Sequence, residues 1–274
     1  FISSPGVDDA RATKLNTQLI EQYKNNSRVH VFDFASWLMQ MGREKYWYTK
    51  YKELGDLRIA PSAFPSLAES LLAYGVAASG NTKKCVVLDL DNTLWHGVVG
   101  EDGLDGIVPD QKLQSYLVTL FEKGIILAIN SKNNTEDALQ VIESHPQMIL
   151  RNNHFAAWRI NWESKEKNML ELAHELNLGL ESFVFVDDDP FQREFICMAF
   201  PEIAVLPPEF VDAYAGFHSF VITQEDRQRG TMYVQERMRK DLQKFLHTEE
   251  DFLKELNLRV TIREISDDAI ARAS

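Results

Sequence analysis

The sequence predicts an α/β fold: a doubly wound parallel sheet, with a smaller N-terminal α/β region and a C-terminal helical segment. Two observations predict it. Three apolar runs, at residues 86–88, 124–130 and 183–186, each stop at a polar side chain, Asp89, Ser131 and Asp187. Apolar runs of that length ending in a polar turn read as strands buried on both faces. Stretches of helical periodicity alternate with these runs, which means crossovers between parallel strands.

Taken in chain order, residues 10–23 read as a helix and 28–34 as a strand. An aromatic-rich segment follows, then a helix over 65–74 and an Ala/Gly/Ser-rich linker over 75–81. After the first buried strand, helices are predicted over 109–123, 135–144, 165–176 and 190–199. Little chain is left between Trp95 and Asp110, and Gly97, Gly100, Gly103 and Gly106 there suggest a short flap or hairpin in place of a large cap domain. From Thr223 the chain is helical and amphipathic through Leu256. The implied division is an N-terminal region over 1–80, a catalytic domain over 81–222 and a helical segment or linker over 223–274.

Composition bounds the function. The chain has 274 residues, 45% of them hydrophobic, enough for one large core or two modest ones. A formal charge of −12 argues against nonspecific nucleic-acid binding. No apolar run approaches the roughly 20 residues of a membrane span, and residues 1–9 carry no secretory signal pattern. The 2 cysteines cannot form a disulfide framework, so a cytoplasmic setting is expected. The chain does not begin with Met, which fits a piece of a larger multidomain protein.

The chemistry gathers at predicted strand ends. Asp89 and Asp91 follow one strand at i, i+2, at the sheet edge where open α/β folds bind ligands. Two carboxylates that close call for a cation, and hard oxygen ligands point to Mg²⁺. Asp187 and Asp188 end another strand, while Asp189 before Pro190 suits a helix cap. Ser131 reads either as a polar group at the site or as a helix N-cap ahead of Asn133, Asn134 and Thr135. Lys165 and Lys167 compete as the lysine at a helix start.

The run Asp89-x-Asp91-x-Thr93 resembles motif one of the haloacid dehalogenase-like phosphotransferases. That resemblance implies Asp89 as the nucleophile, Asp91 as general acid and base, and Thr93 as a residue holding the loop and the phosphoryl oxygens. Ser131 would match motif two, Lys165 motif three, and Asp187 with Asp188 motif four, Asp188 being preferred as direct ligand. The metal set so implied is Asp89, Asp91, Asp187 and Asp188. A narrower likeness runs over residues 84–103, and the FkbH-like proteins of polyketide assembly lines carry it. Ser131-Lys132-Asn133, Arg159-Ile160-Asn161-Trp162, Asp187-Asp188-Asp189-Pro190, Asp33 and the Trp47 region fit the same branch. His96 and Asp189 depart from it, standing where Gly and Asn are usual.

This branch implies that 1,3-bisphosphoglycerate is dephosphorylated and its glyceryl, or a derived lactyl, unit passed to the phosphopantetheine thiol of an acyl carrier protein. Cys85 matches the branch pattern as acyl acceptor, yet by strand rise it lies roughly 13 Å from Asp89, and a buried Cys is usually inert packing. His96, Lys132 and Arg159, with Thr93, are the candidates for substrate binding. A stand-alone phosphatase acting on a phosphoprotein or small phosphate ester is the alternative, and a non-catalytic scaffold a second. For carrier docking the basic stretch from Arg227 to Lys244 is the first candidate, with the Lys45–Lys52 segment next.

Overall fold

Residues 10–24, 26, 29–42, 59–220 and 222–245 are described by the structure, a computed structural model. Its centre is a five-stranded, wholly parallel sheet: β1 (Cys85–Leu88), β4 (Ile126–Ser131), β5 (Phe155–Ile160), β6 (Phe183–Val186) and β7 (Ala204–Leu206), in the order β5-β4-β1-β6-β7. The two-residue strands β2 (Trp95–His96) and β3 (Val108–Pro109) pair antiparallel outside it. Every residue of β1, β4's core and β6 is buried, because crossover helices cover both sheet faces.

The helices divide between those faces. On one side α5 (Gln111–Glu122) and α6 (Thr135–Ser144) bury Leu117, Leu120, Val141 and Ile142 against Val86, Leu88 and Leu127. On the other, α7 (Lys165–Leu176), α8 (Pro190–Ala199) and α9 (Gln224–Phe245) bury Met169, Leu172, Ile196 and Val234 against Cys85, Val87 and Phe185. Consecutive strand residues feed alternate cores, as the two-residue period requires. The chain reverses its direction of winding at β1, which has β4 on one side and β6 on the other. Ligand crevices open at such a reversal, outside the carboxyl ends of the strands.

The N-terminal part differs from expectation. Helix α1 (Ala10–Tyr23) is present, but no strand fills the described part of 28–34, where Phe32 alone makes a bridge. Asp33 accepts from the Ser36 amide at 3.1 Å and caps α2 (Phe34–Met41), so the chain turns into a helix at the position expected to end a strand. Phe32, Phe34, Trp37, Leu38 and Ala63 form a small separate core. Helix α3 (Phe64–Ala78) runs through most of the expected linker, since Val76, Ala77 and Ala78 are no helix breakers. The aromatic segment around Trp47 and the expected continuation to Leu256 lie outside the described residues. Among the described residues no helix is long and apolar enough to cross a membrane.

Between β2 and β3 sits one eight-residue helix, α4 (Val99–Gly106). This flap is the whole insertion. Pro109 belongs to β3 and Asp110 caps α5, accepting from the Leu113 amide at 2.9 Å, so that helix starts two residues later than expected.

Candidate active site

Asp89 leaves β1 with its amide still donating to Val186 O at 2.9 Å, which fixes its carboxylate beside the end of β6. There Asp187 follows. Lys165, the first residue of α7, reaches between the two: its Nζ lies 3.0 Å from Asp89 Oδ1 and 2.5 Å from Asp187 Oδ2. Lys165 is 4% exposed, Asp89 7% and Asp187 fully buried. A lone charge in that environment would be costly, and the ion pairs answer for it. Lys167, its competitor in sequence, is exposed and pairs with Glu163 at 3.2 Å.

One lysine does not neutralise the site. Asp89, Asp187 and Asp188 each offer an oxygen, and these oxygens lie within 4.8 Å of one another. Burial and the Asp89 charge push Asp187 up to about 6, against the pull of Lys165. The same two causes raise Asp188. Burial works to lower the Lys165 ammonium, but Asp89 and Asp187 outweigh it and hold it above its usual value. Three crowded carboxylates, two of them raised by burial and by the Asp89 charge, are a donor set short of positive charge, and their hard oxygens suit a magnesium-sized cation.

The Asp91 side chain lies outside that cluster, contrary to the expected four-carboxylate set. Its Oδ1 accepts from Trp95 Nε1 at 2.9 Å and the Val99 amide at 3.2 Å, and its Oδ2 from Asn133 Nδ2 at 2.8 Å. Burial nonetheless raises its proton affinity. The turn that aims it is tight: Asn92 takes a left-handed φ of 55° and accepts from the Gly97 amide at 3.1 Å. Thr93 ties this turn to the acidic loop, donating to Asp188 Oδ1 at 3.2 Å and accepting from the Asp188 amide at 3.0 Å.

Ser131 closes β4 and is buried, whereas Asn134, not Ser131, caps α6. Asp189 caps α8, accepting from the Phe191 amide at 2.8 Å. Lys132 and His96 are exposed at the ends of β4 and β2. Arg159 is not in a loop but in β5, and its guanidinium is spent on Glu171 at 2.7 Å and Glu175 at 2.8 Å. Those pairings to α7 leave it a strut between strand and helix. Cys85 begins β1, is fully buried among apolar side chains, and burial pushes its thiol far up. It stands at the opposite end of the strand from the acids.

Several residues that hold the site were not singled out by sequence. Arg193 donates to the carbonyls of Asp187 and Asp188, each at 2.7 Å, and so clamps the acidic loop from α8. Asn130 donates to Lys165 O at 2.9 Å and accepts from Asn168 at 3.0 Å, and Asn168 also reaches Asn161 at 3.0 Å. The one available signal was Asn130 itself, a carboxamide inside an apolar strand, which must find partners when buried.

A solved structure shares this architecture: the N-terminal part of the Bacteroides fragilis protein BF1531, containing a phosphatase domain and complexed with Mg. It is 30% identical over 77% of this chain, with a TM-score of 0.60. The fold is the haloacid dehalogenase-like α/β fold. The chain spans 60% of that protein's length. Octulosonate 8-phosphate phosphatases from Haemophilus influenzae (18% identical, 65% of this chain and 96% of that one, TM-score 0.34) and Moraxella catarrhalis (16%, 64% and 98%, 0.34) also match, too distantly to bear on the site. No protein-family model matches the chain, and no curated protein does. In this haloacid dehalogenase-like frame, the acids and Lys165 occupy the carboxyl-end crevice beside the reversal at β1.

Proposed function

We propose that the chain is a magnesium-dependent phosphoryl-transfer enzyme that forms a phosphoaspartate on Asp89. The observation that carries this reading is the Lys165 ammonium held between Asp89 and Asp187, with Asp188 in the same cluster. Asp89, Asp187 and Asp188 would hold Mg²⁺, which supplies positive charge against the developing charge on the phosphoryl oxygens. Asp89 attacks phosphorus as the bond to the leaving oxygen breaks, and a proton from Asp91 goes to that oxygen. Lys165 orients the nucleophile and offsets its charge. Ser131 stands at a strand end where its hydroxyl can meet the phosphoryl group, while the Thr93 hydroxyl, spent on Asp188, holds the loop. Water then attacks the phosphoaspartate, Asp91 takes its proton, and Asp89 is regenerated with release of phosphate.

The finer reading is glyceryl transfer: 1,3-bisphosphoglycerate as substrate, and an acyl carrier protein whose phosphopantetheine thiol takes the three-carbon unit. Support comes from the FkbH-like likeness of residues 84–103 and from a flap of one short helix in place of a large cap, a small cover that suits a substrate arm carried by another protein. Burial of Cys85 argues for direct attack by the carrier thiolate on the acyl phosphate, without an enzyme thioester. Phosphate leaves from the carbonyl carbon in that step.

Two measurements test the two levels. Phosphate release with Mg²⁺ should be abolished in Asp89→Asn, which keeps shape but loses the attacking oxygen; an active variant would sink the phosphoaspartate reading. Intact-mass analysis of a carrier protein incubated with enzyme, Mg²⁺ and 1,3-bisphosphoglycerate should show the glyceryl adduct. Phosphate release with an unmodified carrier would leave a plain phosphatase.

A further inference from the structure

The hydrogen bonds of Asp91 distinguish its two oxygens. Each carboxylate oxygen has about two lone-pair directions. On Oδ1 both are taken, by the Trp95 indole at 2.9 Å and the Val99 amide at 3.2 Å. On Oδ2 one is taken, by Asn133 Nδ2 at 2.8 Å. Among the described residues no other donor to it is found, so one direction on Oδ2 is open.

Each of these donors is itself fixed. Trp95 is fully buried in the flap's first strand and Val99 opens the flap helix, so both Oδ1 donors ride on the flap. Asn133 is 5% exposed and follows Ser131 by two residues; its Oδ1 accepts from the Asn134 amide at 3.0 Å, which settles which end of the carboxamide donates to Asp91. The carboxylate plane is therefore held from two independent elements, the flap and the loop after β4.

We infer that Trp95 and Asn133 are positioning residues that orient Asp91, leaving Oδ2 as the oxygen that gives the proton to the leaving group. This rests on the phosphoryl-transfer reading above. In the first step the phosphorus–oxygen bond to the leaving group breaks with its electron pair on that oxygen, and the Oδ2 proton joins it. A poor leaving group, an alkoxide, depends on that proton. A stabilised phenolate does not.

That dependence separates orientation from mere support. The second-order constant kcat/KM reports steps through phosphoaspartate formation, so it isolates the leaving-group step. It is to be measured with Mg²⁺ for 3-phosphoglycerate and for 4-nitrophenyl phosphate in wild type, Asn133→Ala and Trp95→Phe. Each variant should lose about tenfold or more on 3-phosphoglycerate and no more than about twofold on the aryl ester. Equal losses on both esters would mean a structural role and overturn the inference, as would no loss on either. Asn133→Ala removes a loop side chain and keeps the flap core, so it decides the matter if Trp95→Phe fails to fold. A wild-type protein inert toward both esters would instead sink the phosphoryl-transfer reading, and this inference with it.

Discussion

The two ends of β1 differ by four residues and by nearly everything chemical. Cys85 and Asp89 fall on the same side of the strand by its two-residue period. Cys85 pairs with Ile126 and Phe183 in the sheet and belongs to the apolar core that includes Leu172 and Val234, and burial pushes its thiol far up. Asp89 is almost as buried, at 7% exposed, but it faces Lys165 at 3.0 Å and two further acids. Burial alone makes a group inert; burial beside converging charge makes it reactive. Helix α9 belongs with the quiet end: Asp226 backs onto Gly124 ahead of β4, and Arg237 donates to Asn152 O ahead of β5 at 3.1 Å. Its arginines are mostly committed, Arg229 to Asp226, Arg239 to Glu236, and Arg237 lying 4.2 Å over the Trp158 ring. Of the basic stretch expected to dock a carrier, Arg229 and Arg237 are half-buried and brace the helix against the sheet, while Arg227, Arg239 and Lys240 stay exposed.

The sharpest way to break the comparison is to remove the charge that distinguishes the reactive end. Lys165→Ala should reduce turnover to background and, without Mg²⁺, cost roughly 3–5 kcal/mol in denaturant unfolding, because it strands buried carboxylates. A stable, active variant would mean that the two ends are alike.

A metal titration sharpens it next. Asp187 is raised from the ordinary aspartate range to about 6, so the folded state binds its proton more tightly than the unfolded state does. That stabilisation is present at low pH and lost as pH rises to about 6, leaving charged, repelling acids above it. Mg²⁺ should therefore raise Tm more at pH 7.5 than at pH 5, where protons compete. At a hundredfold excess over Kd the gain is about 2.7 kcal/mol, or roughly 5–10 °C. An equal shift at both pH values would remove the acids from the binding site.

At the quiet end, Cys85→Ala should cost about 1 kcal/mol for the lost packing and leave phosphate release and carrier loading unchanged. A thiol reagent should modify only the exposed Cys197 in the folded protein. Lost loading by this variant would reinstate an enzyme thioester. The smallest effects belong to α9. Lys240→Glu, at an exposed position, should change stability by less than about 0.5 kcal/mol. Arg237→Glu should cost about 1–2 kcal/mol through the lost contact with Trp158, with no change in carrier KM at low salt beyond that of Lys240→Glu.

Much of this was legible in the chain. Period and polarity fixed the strands, because a parallel strand covered on both faces must be apolar until it reaches solvent, and the first polar residue then marks its carboxyl end: Asp89 after β1 and Asp187 after β6. Helices α6, α7 and α8 begin where Asn134, Ser164 and Asp189 can cap them, a local matter that sequence records. The failures were also local readings, in which propensity competed with a cap, as at Asp33, or with a neighbouring strand, as at Pro109. Direction and partnership were a different matter. Whether Arg159 faced substrate or α7, whether Asp91 joined the acids or the flap, and that Arg193 and Asn130 brace the loops all depended on how separate elements pack together. A side chain's partners are set by which strands lie side by side, and the step that takes the chain from β5 across to β6 is decided by the packing of the whole sheet. Sequence by itself determined where charge could emerge; only the tertiary structure decided which charges met.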